Sequence, residues 1–261
     1  VQHSIKFPKF KRYGILTKEI MDIVSNTLFD FLNTNFCMSS NGIITGFDVK
    51  YIENKNKFKI SKGVIKYNNQ IYWLSEDKFI EKPKEEGRYY LVFNILNKED
   101  ELFYINIYNF EFKKENNILK EDFKLFSIIL RDGANIESAN HEFDKYRNEF
   151  NTIDTISTNY CCPYSLYPSI SPKLLKKWSS LMCTKSNIET VDLNFAFLCM
   201  NSIISRECLV GYINLKLNVN RTVSDTNITL VQDLSMILKT FDEKKLQTKS
   251  VVDKIEKIHV D

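Results

Sequence analysis

Between Asn41 and Leu74 apolar side chains recur with a period of two. Ile43, Phe47, Val49 and Tyr51 fall on one face of an extended strand, and Gly46, Asp48 and Lys50 on the other. That period predicts a half-buried strand. A polar turn at 53–56 leads to a second strand, with Phe58 and Ile60 on one side. Gly63 interrupts it, and a third segment runs from Val64 to Asn68. Asn68 and Asn69 tolerate the positive φ of a tight turn, after which Ile71 to Leu74 closes the module. Further along, Tyr89, Leu91, Phe93 and Ile95 alternate, as do Leu102, Tyr104, Tyr108, Phe110 and Phe112. This predicts a long hairpin. Leu125 to Leu130 reads as another strand, stopped at Asp132-Gly133.

The period changes near Asn151. Before it, one helix stands out: Thr17 is a suitable cap, and Ile20, Val24, Leu28, Phe31 and Leu32 recur at helical spacing, predicting an amphipathic helix over 18–33. After it, Ser171 and Pro172 open a helix whose stripe holds Leu174, Leu175, Trp178, Leu181 and Met182. A second runs over 191–204 with Leu193, Ala196, Phe197 and Met200 on one face. A third holds Cys208, Leu209, Tyr212 and Leu215, and a fourth Ile228, Val231, Leu234, Leu238 and Phe241. Short connections between such helices predict a bundle. The fold class is therefore α+β and multidomain: an antiparallel β-sandwich of two sheets over 1–155, then an α-helical bundle over 156–261.

Composition narrows the function classes. A net charge of +3, with lysines interspersed among acids, gives no basic patch for nucleic acid. Aromatic residues reach 13%, which favours sheet and large buried contacts, interfaces included. No apolar run approaches the roughly 20 residues needed to span a bilayer, and no basic-then-apolar signal segment opens the sequence. Six cysteines in 261 residues do not make a disulfide framework. Cys183, Cys199 and Cys208 are expected as buried small hydrophobes, and the compartment as the reducing cytoplasm.

Candidate chemistry is sparse. Cys161 or Cys162 with His141 and Asp144 would supply the residue types of a cysteine nucleophile, without any recognisable signature around them. The vicinal pair lacks the spacing of about two to four residues usual in structural zinc sites. The three histidines, His3, His141 and His259, are scattered, and no glycine-rich phosphate loop is present. The sequence predicts a protein that is not an enzyme and holds no cofactor or metal.

Two stretches carry a resemblance. The Asn41–Leu74 module reads as Gly-Ile-Ile-x-Gly-Phe-x-Val, then Ile-x-x-Gly, then Asn-x-x-Ile-Tyr-x-Leu. It resembles the β-modules at the attachment end of phage tail fibres, and most of all the shell domain of the TssK family, the baseplate adaptors of type VI secretion systems. At 160–182 the run Cys162-Pro163, Ser171-Pro172, Leu174, Leu175, Trp178, Leu181 is similar to the TssK junction, where an Ile-Pro-Pro stretch precedes a Ser-Pro-x-Leu helix start. The double proline of that junction is reduced here to Pro163, and Pro168 is extra. Near the start, Phe10, Gly14 and Leu16 fill the first places of the family's N-terminal pattern, while its tryptophan and its Pro-Gln-His-Phe run are absent.

The resemblance implies a non-enzymatic adaptor of a phage tail-like contractile injection machine, a trimer whose β-shell binds baseplate wedge proteins and whose helices join the copies. Contact with the membrane complex would be indirect, because the family's C-terminal docking domain has no counterpart here. The candidate partner-binding residues are Phe10, Tyr13, Ile15 and Leu16, large side chains set among Lys9, Lys11 and Arg12 just before the first helix. The candidate self-association residues are Leu174, Trp178 and Leu181. A phage tail-fibre or receptor-binding protein with glycan binding stands as the alternative, and a cysteine-dependent effector enzyme as the second.

Overall fold

Alternation in the first half and helical periodicity in the second give a chain of mixed class, with antiparallel sheets first and helices after. The computed structural model describes residues 15–99, 104–133, 135–138 and 150–241. A helix, α1 (Lys18–Phe36), precedes the strands. Strands β1 (Gly42–Gly46), β4 (Gly63–Tyr67) and β5 (Gln70–Leu74) form one sheet in the order β1-β4-β5. β2 (Val49–Ile52), β3 (Lys57–Ile60) and β6 (Lys78–Glu81) form a second, in the order β2-β3-β6. β7 (Gly87–Glu99), β8 (Tyr104–Lys113) and β9 (Phe123–Leu130) form a third, in the order β8-β7-β9. A short parallel pair, β10 (Glu137–Ser138) with β11 (Thr152–Ile153), completes the set.

The expected two-sheet sandwich is thus divided further, and a single bend explains the division. β1 and β2 are one path, and β3 and β4 its antiparallel return. Both break at the same level, between the pairs Gly46↔Gly63 and Val49↔Ile60. Gly46 has φ +74°, and a Cβ there would sit 2.1 Å from the Lys62 carbonyl oxygen. One on Gly63 would sit 2.4 Å from that of Thr45. Only glycine permits so close a crossing. Across the bend the Asp48 N–H donates to Ser61 Oγ at 2.9 Å, and the Ser61 N–H to the Asp48 carbonyl at 2.9 Å. Phe47, expected inside a continuous strand, sits at the corner with φ 57°, yet it is buried and stacks on Phe93. At the other end Asn68 and Asn69 take the left-handed conformation that a tight hairpin requires.

One apolar core joins the three sheets. Phe58 packs against Tyr51, Phe112 and Phe126 with centroids 5.2, 5.3 and 5.2 Å away. Ile43, Ile65, Leu91, Phe93 and Ile128 belong to the same cluster.

The second core lies among α2 (Pro172–Cys183), α3 (Thr190–Asn201), α4 (Arg206–Leu217) and a fifth helix, α5, described over 227–241. Trp178 is its centre, at 0% exposure. Its ring meets Phe195 and Tyr212 edge-on, those two stack at 3.9 Å, and its Nε1–H donates to the Leu234 carbonyl at 3.0 Å. One side chain thereby ties four helices. The α3 face differs from the expected one. It buries Asp192, Phe195, Ala196 and Cys199, while Phe197 is exposed. Asp192 can turn inward because Tyr212 Oη donates to it at 2.8 Å and Lys216 Nζ at 3.0 Å. Cys183 and Cys208, expected inside, are exposed; Cys199 is buried.

The two cores meet at residues 154–171. Asp154 exchanges two 2.8 Å hydrogen bonds with Ser127 on β9, and the Cys161 N–H donates to the Ile43 carbonyl on β1 at 2.9 Å. From the helical side, Asn227 Nδ2 donates to the Ile156 carbonyl at 2.9 Å. The buried guanidinium of Arg206 donates to the Pro168 carbonyl at 3.1 Å and to Asn227 Oδ1 at 2.7 Å. Among the described residues, no helix is long and apolar enough to cross a membrane.

Candidate functional site

α1 begins where its sequence says it should. Thr17 is extended, and its Oγ1 accepts the Ile20 N–H at 3.3 Å. The other end is held by Lys66. This residue projects from β4 between Ile65 and Tyr67, whose side chains enter the sheet core, so its own points to the opposite face. There the ammonium donates to the carbonyls of Phe36 at 2.7 Å, Cys37 at 3.3 Å and Ser39 at 2.6 Å. A cation against the last carbonyls satisfies groups the helix cannot and opposes its dipole. Lys66 is buried, so these bonds are shielded from water.

The helix so mounted does not bury the described members of the stripe expected of it, Ile20, Val24, Phe31 and Leu32, in either core. No described side chain of α1 belongs to either core. Val24 and Phe31, seven residues apart and so on one face, are exposed, Phe31 to 64%. Met21 is exposed too, and Ile20 and Leu32 only half-buried. α1 lies against β5, where Trp73 is exposed on the sheet surface. The arrangement is an apolar helix face held in place and open to water, which suits docking of another protein.

The expected partner-binding residues lead into this helix. Ile15 and Leu16 are exposed to 85% and 59%. Phe10 and Tyr13 lie outside the described residues. The expected self-association stripe is placed differently. Leu174 and Trp178 are enclosed in the chain's own helical core, and Leu181 packs half-buried against it. Apolar content is common to a protomer core and an interface and does not tell them apart. Sequence reading passed over Tyr164 and Leu166, both strongly exposed on the connection between the cores. The interleaving of large apolar residues with Pro163, Ser165 and Pro168 was the available signal.

Cys161 and Cys162 are buried. Burial pushes both thiols up, Cys162 to about 11 with Glu207 adding to the shift, so both are protonated at neutral pH. His141 and Asp144 lie outside the described residues. Among the described residues no group of three or more His, Cys, Asp or Glu side chains could hold a metal ion.

No family profile matches the chain, and no characterised protein matches it in sequence. Among solved structures, a crystal structure of TssK aligns with TM-score 0.43 and 7% identity, covering 91% of this chain and 72% of that one. A chain of the type VI secretion system TssK-TssF-TssG baseplate subcomplex aligns with TM-score 0.42 and 6% identity, covering 91% of this chain and 100% of that one. Both likenesses are distant, and neither assigns a residue or a role in this chain.

Proposed function

We propose that this protein is a structural adaptor of a contractile injection machine of the type VI secretion kind, working by docking rather than by chemistry. The observation that carries the docking reading is α1: a nineteen-residue helix, capped at one end by Thr17 and at the other by buried Lys66, with its described apolar side chains outside both cores. Exposed apolar faces of this kind are costly unless a partner covers them. The choice of machine is supported by the TssK-like motifs in order along the sequence: the 41–74 module, the 160–182 junction, then the helices. Residues 1–155 and 156–261 are two domains in this reading. The partners are baseplate wedge proteins, received at Ile15, Leu16 and the exposed side of α1, with Phe10 and Tyr13 contributing. The protein is not an enzyme and works in the cytoplasm, where its cysteines stay reduced.

Self-association as a trimer belongs to the same proposal. Trp178 serves it indirectly, by holding α3, whose exposed positions include Val191, Phe197 and Leu198. Light scattering on the purified chain checks this: a mass of three copies is expected, and a monomer at high concentration contradicts it. Affinity purification from the native cell tests the adaptor role. Sheath and baseplate proteins should co-purify. Their absence, with the chain intact and abundant, overturns the assignment.

A further inference from the structure

The sheet edges of this fold are not treated alike. The β1 edge is met by residues 159–161, with the Ile43 N–H donating to the Asn159 carbonyl at 3.0 Å. β5 has α1 packed near it. β2 lies beside β10, and β9 exchanges hydrogen bonds with Asp154. β6 is short and carries Lys78 and Glu81 at its ends. These are the usual ways of closing an edge to foreign strands. Among the described residues β8 has no such cover, and its charges, Glu111 and Lys113, sit at one end. It runs ten residues, from Tyr104 to Lys113, and among the described residues it pairs only with β7. Its register with β7 is unbroken, with no bulge to twist it away. It contains no proline, and residues 104–110 contain no charge. Its outward face sets Ile105 opposite Lys98 and Ile107 opposite Leu96, and Leu96 is 50% exposed.

We propose that the open edge of β8, over residues 104–111, accepts an extended segment of another protein as a fourth strand. Alternate residues of β8 turn their N–H and C=O groups away from β7, and an extended backbone is the ligand that matches such a row. The side chains define its pattern. Apolar residues at every second position would cover Ile105 and Ile107, and a lysine or arginine would face Glu111. Among the described residues Glu111 is paired only with Lys113, at the long distance of 3.7 Å, while Lys113 lies closer to Asp122 at 2.8 Å, so an incoming cation competes with the weaker of the two contacts. A second copy of β8 is a poor fit. In an antiparallel pair Glu111 meets Lys113 only in a register centred on Phe112, which overlaps just residues 111–113 of each strand. Longer registers that keep the outer faces aligned set Glu111 against Ile105, Ile107, Asn109 or a second Glu111. The inference rests on β8 alone and is independent of docking at α1.

Amide hydrogen exchange on the full chain tests it, with a capped Lys-Thr-Val-Thr-Val-Thr-Val peptide as the probe. In the free chain, every second amide of residues 104–111 should exchange fast and its β7-facing neighbours slowly. Saturating peptide should slow the fast set by about tenfold or more. Ile107→Lys should remove that effect while the β7-facing amides stay slow, which shows the hairpin intact. Three results overturn the proposal: slow exchange of all β8 amides in the free chain, protection that grows with protein concentration without peptide, or no change on adding peptide.

Discussion

Trp178 and Lys66 show how much single side chains determine here. Trp178 fills the space between four helices, so Trp178→Ala should cost about 3–5 kcal/mol. Thermal unfolding should show a large fall, and Trp178→Phe, which keeps a ring but loses the bond to Leu234, a smaller one. Lys66→Met leaves the carbonyls at the end of α1 without their cation, a loss of roughly 2–3 kcal/mol. Urea unfolding measures it, and amide exchange should speed most in α1. Asp122 gives a pH signature. Burial opposes its charge, but the bonds from Lys113 and the Leu119 N–H win, and its pKa lies below the usual carboxylate value. A depressed pKa contributes stability that is full above the unfolded value of about 3.9 and is lost as pH falls through the folded one. Stability from this pair should therefore hold at pH 5–8 and fade below about pH 4. Asp122→Asn should remove that part of the acid response in denaturation curves taken at several pH values. Trp178 was legible as a member of an apolar helical stripe, but the roles of Lys66 and Asp122 were not. Lys66 and Asp192 are polar residues at buried places, and a polar–apolar pattern assigns such residues to the surface.

At the scale of elements the pattern located strands and helices well, because each needs one apolar face. The 18–33 periodicity became α1, Ser171-Pro172 opened α2, and Asn68-Asn69 made the turn. What the pattern missed is where faces point and where strands break. The stripe Ile20, Val24, Leu28, Phe31, Leu32 has the spacing of a core face, yet its described members belong to neither core, since spacing does not say what lies opposite. The break at Gly46 was hidden because Ile43 and Phe47 both face the core, although a register shift between Ile43 and Thr45 leaves Thr45 exposed. On α3 the expected face was displaced because Asp192 found partners on α4. The α1 reading makes a direct prediction. Val24→Glu with Phe31→Glu changes exposed positions only, so unfolding should shift by no more than about 0.5 kcal/mol per site. A cooperative loss of stability in urea would mean that these side chains pack within the chain.

For the whole molecule, the order of sheets before helices was legible, since the period changes along the chain itself. The division of the β half into three sheets was not, because it depends on two glycines distant in sequence meeting at one bend. The face proposed for docking was legible only at its edge, in Ile15 and Leu16; the exposed positions on α1 depend on what the fold leaves uncovered. Aromatic anchors in a desolvated patch typically carry about 2 kcal/mol or more each, so losing Phe31 and Val24 together should weaken docking by well over tenfold. The measurement that tests the adaptor claim most directly is quantitative capture from the native cell with wild-type chain and with the Val24→Glu, Phe31→Glu variant side by side. The account predicts baseplate proteins with the wild type, and at least a tenfold loss with a variant of unchanged fold and mass. Equal capture by the two chains, or no baseplate protein with either, would contradict it.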